Sequence, residues 1–134
     1  DKVLLGADQI KSREIVLPAY DDAQGFTRDF NLNFLRRINR ELNGDFEESS
    51  FVHVPQYSEE TGIAESYLES TCDQVVTIGE DEFSFRDGER IHMEISRKYD
   101  DNVLEKIVTG TGLYVTEKFT DSRKYFADYI LEKL

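Results

Sequence analysis

One cysteine, Cys72, two histidines, His53 and His92, and two prolines are all that 134 residues hold of these types. A single thiol makes no internal disulfide, so nothing requires an oxidising compartment. Glu69 and Asp73 beside it oppose a thiolate, so Cys72 reads as a structural or incidental thiol. Two histidines are too few for a His-based metal centre, and no metal ligands are expected. Cations are scarce as well: 16 Lys and Arg stand against 28 Asp and Glu, for a net charge of −12. That balance excludes a nucleic-acid partner and an anionic membrane, both of which are held by clustered basic residues. No apolar run reaches the length of a membrane span and no signal-like segment opens the chain. A cytoplasmic location is the expectation.

What is present suffices for a packed core. Hydrophobic residues make up 39%, with nine Phe and seven Tyr, which excludes a disordered class despite 33% charged residues. The length suits one domain. The chain starts at Asp1 without Met and enters a strand almost at once, as a piece cut from a longer protein would.

Val3 to Asp8 is a continuous apolar run of the kind found in buried strands, typically those of parallel sheets, with Asp8 at its carboxyl end. Ser12 offers an N-cap for a short helix through Leu17, and Pro18 ends or re-initiates it. A polar link over 19–27 with Tyr20 and Phe26 reads as a loop able to line a site. Beyond it the period turns helical. Phe26, Phe30, Phe34 and Ile38 recur at steps of four with Leu35 and Leu42 beside them, which predicts an apolar, core-facing stripe. Arg28, Arg36, Arg37 and Arg40 fall on the solvated side with Asp29 and Glu41 as local partners, and Asn43-Gly44 closes the helix. The poor helix formers Asn31 and Asn33 have no local reason to be there.

After Ser50 the period becomes two, predicting strands over 51–57, 63–72, 74–78, 82–85 and 90–99. Pro55 marks the first as an edge strand or an irregular one. Asp87-Gly88 between Phe83-x-Phe85 and Ile91-x-Met93 predicts a hairpin joining the last two. Asp100 or Asp101 then caps a helix carrying Val103, Leu104, Ile107 and Val108 on one side, ended by Gly110 or Gly112. Two strands, 113–120 and 125–134, close the chain around Asp121-Ser122. The pattern implies an antiparallel β insert between α/β segments.

The stretch Arg90 to Tyr99 stands out. Alternation puts Ile91, Met93 and Ile95 on one face and His92, Glu94 and Ser96 on the other, with Glu94 and Ser96 roughly 7 Å apart. That face is a wet surface or the wall of a site. Glycine-rich phosphate loops and a nucleophile elbow are missing, and the acidic pairs Glu47-Glu48 and Glu59-Glu60 read as solvated turns. One strand face cannot give His92, Glu94 and Ser96 the mutual geometry of a nucleophilic triad.

Two runs carry a resemblance. Ala19-Tyr20-Asp21-Asp22-x-x-Gly25-Phe26-Thr27-x-x-Phe30-Asn31-x-Asn33, followed by Arg37-x-Asn39-Arg40-Glu41-Leu42, is similar to the histidine-specific S-adenosylmethionine-dependent methyltransferases, the family of the histidine Nα-methyltransferase of ergothioneine biosynthesis. Ile91-His92-x-Glu94-x-Ser96-x-Lys98-Tyr99 resembles that family's second signature, and Leu4-Leu5-Gly6-x-Asp8-x-Ile10-Lys11 resembles its strand before the substrate loop.

The resemblance implies an α/β fold, α+β in the isolated piece: a partial Rossmann-like methyltransferase sheet from 1–18 and 99–134, and an inserted antiparallel β-meander plus helix forming a substrate domain over 19–98. It implies that Tyr20 holds the backbone end of an amino acid and that Thr27 and Phe30 line its pocket. Glu94 and Ser96 would bind the imidazole ring, while Ser66 stands where the family usually has a larger apolar residue against that ring. The cofactor, S-adenosylmethionine, would be bound by motifs upstream of Asp1, so no cofactor-binding residue and no catalytic residue is assigned within the chain. The implied partners are the amino-acid substrate and the N-terminal part of the same protein. The isolated piece is expected to be inactive, to bind neither substrate nor cofactor tightly, and to self-associate through its cut sheet edge. Two other readings stay open: methylation of another aromatic amino acid or amine, and a non-catalytic binding or assembly module that keeps the fold.

Overall fold

The computed structural model describes residues 1–133, so Leu134, the end of the expected closing strand and of the 99–134 stretch, lies outside the described residues. The fold is mixed α/β, with eight strands and three α-helices among the described residues. The described residues divide into two compact units, one of residues 1–13, 58–63 and 96–133, the other of residues 14–57 and 64–95.

In the first unit, β1 (Lys2–Asp8), β7 (Leu113–Thr120) and β8 (Phe126–Lys133) form a sheet in the order β1-β8-β7. Both neighbours run antiparallel to β8, with Ala7 opposite Ala127 and Leu5 opposite Tyr129, and the β7 register slips between Val115 and Glu117. The helix α3 (Asp101–Val108) starts where the Asp100 carboxylate accepts the Val103 N–H at 2.7 Å. Its Leu104 and Val108 join Ala7, Ala127, Tyr129 and Leu131 in the core. Asp121 ties the β7–β8 turn by accepting the N–H groups of Arg123, Tyr125 and Phe126.

The expectation of a buried, parallel-type first strand is met only just past its end, where Gln9 and Tyr99 form a parallel bridge. Among the described residues the strand paired with β1 is the antiparallel β8, and Val3 and Leu4 are 44% and 68% exposed. An apolar run reports that a strand can be covered, not that it is. At its end Asp8 is ion-paired to Lys11 and, at 3.0 Å, to Lys98. Burial pushes its carboxyl up, but the hydrogen bonds and charges of the two lysines outweigh that and hold it below the ordinary range. Gly62 supplies a left-handed turn (φ +69°) where a Cβ would meet the Lys98 carbonyl oxygen at 2.6 Å.

The second unit opens with the short helix α1 (Arg13–Val16), whose first residue belongs to the first unit, and a 3-10 turn, Leu17–Ala19, with Pro18 in its first positions. The long helix α2 (Phe26–Leu42) ends at Asn43, left-handed at φ 53°. Four of its apolar residues face outward, with Phe26 68%, Phe30 72%, Phe34 44% and Leu42 57% exposed. The buried side is Asn31 and Leu35, with Leu32 and Ile38 partly buried. Asn31 therefore sits in the packed face, its Nδ2 donating to the Thr27 carbonyl at 3.1 Å.

Strands β2 (Phe51–Ser58), β3 (Ile63–Ser70) and β6 (Arg90–Arg97) form a sheet with β3 in the middle, and β4 (Gln74–Ile78) pairs with β5 (Asp81–Phe85) separately. Pro55 thus lies on an edge strand. The hairpin expected at Asp87-Gly88 does not form between β5 and β6. The turn is made, with Glu89 N–H donating to Arg86 O, but Gly88 N–H donates to Ser70 O, which carries the chain over to β3. In the core, Leu35, Phe46, Phe51, Leu68 and Val76 form one cluster, with Phe46, Phe51 and Phe85 rings 5.6 to 6.1 Å apart. Val16, Tyr57 and Ala64 form a second, with Leu17 and Tyr20 against it.

Candidate functional site

Within the second unit, Ala19, Tyr20, Phe26, Thr27, Phe30 and Glu94 line a cleft of about 420 Å³, the size of a small-molecule site. Four of the six residues expected to touch substrate are therefore gathered: Tyr20 from the end of the 3-10 turn, Thr27 and Phe30 from the first turns of α2, and Glu94 from β6. The solvent-facing phenylalanines at the head of α2 have a place here, because Phe26 and Phe30 form an apolar wall of the cleft.

The loop beside the cleft is held by Asp22. Its two carboxylate oxygens accept the Phe26 and Thr27 N–H groups, each at 2.9 Å, doing the work of an N-cap that Gly25 (φ 76°) lacks. Those bonds pull the Asp22 carboxyl down to about 2. The Thr27 hydroxyl donates to the Ala19 carbonyl at 3.4 Å, linking the loop to the helix across the cleft's rim.

β6 does not alternate as expected. Ile91 and Met93 pack against the core cluster, whereas Ile95, placed on the same face by its spacing, is 60% exposed. Burial along the strand changes phase at Met93–Glu94, where two successive residues are partly buried. Met93 and Glu94 thereby both serve the α2 side, one in the core and one in the cleft. His92 stays on the outer face, its ring 5.0 Å from Tyr67 and its Nε2 3.4 Å from Glu65, so it does not share a face with Glu94. Ser96 belongs to the first unit, where its hydroxyl accepts from Lys98 Nζ at 3.2 Å. Ser66 is fully buried on the inner face of β3 between Ala64 and Leu68, and its Oγ has no hydrogen-bond partner.

Sequence reasoning weighed His53 only as a metal ligand. Its Nε2 is buried without a partner. Burial pushes the imidazole below its usual value; Asp21, Asp22 and Glu94 pull it up and Arg28 pushes it further down. The available signal was its phase, two residues from Phe51 on the inward side of β2. Among the described residues no group of three or more His, Cys, Asp or Glu side chains is assembled as a metal ion requires, and no helix is long and apolar enough to cross a membrane.

The described fold is mixed α/β, and this cleft is aromatic on one wall and carboxylate on another. Comparison with known families shows that the chain belongs to the histidine-specific, SAM-dependent methyltransferases, whose family model matches residues 1–133. It is 36% identical over 124 residues to the histidine N-alpha-methyltransferase of Mycolicibacterium smegmatis and 33% identical over 123 residues to that of Mycobacterium tuberculosis. Each match covers 90% of this chain and 38% of the relative. Ergothioneine biosynthesis protein 1 of Neurospora crassa is 33% identical over 129 residues, 93% of this chain and 14% of that protein. The chain thus spans well under half the length of the relatives it matches.

Proposed function

We propose that this chain is the substrate-recognition part of an S-adenosylmethionine-dependent N-methyltransferase acting on the α-amino group of L-histidine, in a pathway of the ergothioneine type. The observation that carries the reading is the convergence of Tyr20, Thr27, Phe30 and Glu94 on one cleft in a chain of this family. In it, Tyr20 and Thr27 hold the amino-acid end and Phe30 packs against the ligand. The Glu94 carboxylate accepts from an imidazole N–H, a charge-assisted bond suited to that ring. Ser66 lies beneath the ring, and Ser96, in the first unit, is given no part in this cleft.

The division we infer for the full protein assigns 19–98 to substrate recognition and 1–18 with 99–134 to a Rossmann-like methyltransferase sheet. The separation of most of 19–95 from the two ends of the chain as compact units supports a division of this kind. The described residues do not themselves fit the cofactor. They include no glycine-rich loop, and the strand-end carboxylate of Asp8 is taken up by Lys11 and Lys98. No step through S-adenosylmethionine is therefore assigned to this chain's own groups.

The test is methyl transfer from labelled S-adenosylmethionine by the full natural chain, with histidine, phenylalanine, tryptophan and tyrosine as acceptors. Histidine is expected to be preferred, and Glu94→Ala is expected to abolish that preference. Equal transfer to another aromatic amino acid would shift the substrate, and binding without transfer would leave a non-catalytic module.

A further inference from the structure

Three positions of the β2–β3–β6 sheet, one on each strand, interrupt its apolar lining. On β2, His53 falls between Phe51 of one core cluster and Tyr57 of the other. On β3, Ser66 falls between Leu68 of the first cluster and Ala64 of the second. On β6, Glu94 follows Met93, which packs on the first cluster, and enters the cleft. Each strand thus carries one polar residue between or beside the two apolar clusters; His53 and Ser66 stand outside the cleft's lining, and the Asp22 and Glu94 carboxylates act on the His53 imidazole. Two polar atoms here, His53 Nε2 and Ser66 Oγ, are buried with no hydrogen-bond partner, while neither core cluster needs a polar group there. Orphaned buried polar atoms are uncommon because each sacrifices its bond to water, and pairing with a ligand is one physical reason to keep them. Strands β2 and β6 are two strand spacings apart, roughly 10 Å, which leaves room for one small ring between long side chains reaching in from each.

We propose that His53 is a further specificity-determining residue of the cleft, its Nε2 acting with the Ser66 hydroxyl on the polar edge of a ligand ring whose other edge Glu94 holds. This rests on the reading of the cleft as an amino-acid site, and it narrows the ligand to α-amino acids whose side-chain ring carries polar atoms on two edges. A ring without a second polar edge leaves His53 Nε2 and Ser66 Oγ unpaired on binding and is disfavoured for that reason. Burial also keeps the His53 imidazole below its usual value, so near neutral pH it meets the ligand uncharged and offers a hydrogen bond rather than a positive charge against an imidazole.

The test uses the full natural chain with His53→Leu and His53→Gln, titrated calorimetrically with histidine and with phenylalanine, whose ring lacks polar edges. His53→Leu is expected to weaken histidine binding roughly ten- to hundred-fold, the size of one lost buried hydrogen bond, and to leave phenylalanine within roughly two-fold. His53→Gln, which keeps a polar terminus, is expected to recover most of the loss. A packing role would instead weaken both amino acids alike, and that result overturns the proposal. An unchanged preference in His53→Leu overturns the role of His53 alone. A wild-type chain that shows no preference for histidine overturns the amino-acid reading and this inference together. Nitrogen-15 NMR of the wild type gives a readout free of any folding defect: Nε2 of His53 is expected to shift with histidine and not with phenylalanine, and a static resonance counts against the proposal.

Discussion

Asn39 and Phe46 grip each other twice. The Asn39 Nδ2 donates to the Phe46 carbonyl at 2.8 Å, and its Oδ1 accepts the Phe46 N–H at 2.8 Å. One amide side chain near the end of α2 thus replaces a strand neighbour for the loop that delivers Phe46, 7% exposed, to the core.

Replacing Asn39 with Ala removes both bonds and leaves two backbone groups without their partner. We expect a loss of about 2–3 kcal/mol, read as a lower denaturant midpoint with an unchanged slope. Asn39→Asp keeps the acceptor and loses the donor, so its midpoint is expected to fall between the two. A wild-type midpoint in Asn39→Ala would show that the grip contributes nothing net.

Ser66→Ala is expected to behave unlike an ordinary core truncation. The hydroxyl it removes is buried and unpaired, so stability should hold or rise by up to about 1 kcal/mol while affinity for histidine falls. Thermal unfolding and calorimetric titration of the same preparation check the two halves separately.

Asp22 gives a pH prediction. Hydrogen bonds from Thr27 and Phe26 hold its folded carboxyl at about 2, below the ordinary 3.8. Its contribution is therefore complete above about 4 and fades as pH falls toward about 2, where the folded carboxyl protonates. Asp22→Asn is expected to flatten that part of the acid limb, and the wild-type side-chain carbon resonance should titrate near 2. A midpoint near 4 would mean the two backbone bonds are absent in solution.

Apart from the Tyr99 N–H that donates to Asp8 O at its carboxyl end, the outer side of β1 has no strand partner among the described residues, and Leu4 is 68% exposed. The 134-residue chain expressed alone is expected to self-associate with rising concentration, and Leu4→Lys to reduce this. Light scattering that reports a monomer at high concentration would rule it out.

Much of the fold was legible because local signals mark ends well. Asn43 closes α2 in the left-handed region, Asp100 opens α3, and Pro18 sits where the chain changes helix type. Faces were harder to read. The Phe26–Phe30–Phe34 stripe is a true helical period, but periodicity identifies an apolar stripe without saying what covers it. Here the packed side is the one carrying Leu35 and Asn31. The Asp87-Gly88 turn was recognised and its partner misplaced, since a turn fixes a reversal and not which strand is met next. The family signatures brought Tyr20, Thr27, Phe30 and Glu94 forward together, and these line one cleft. His53 was weighed only as a metal ligand because its buried, unpartnered Nε2 shows only once its neighbours are placed.

The change of phase in β6 brings core and cleft together along the chain. Met93 and Glu94 are covalent neighbours, yet one packs on the core and the other opens onto the cleft. A substitution at either position is therefore expected to be read in both thermal unfolding and ligand preference.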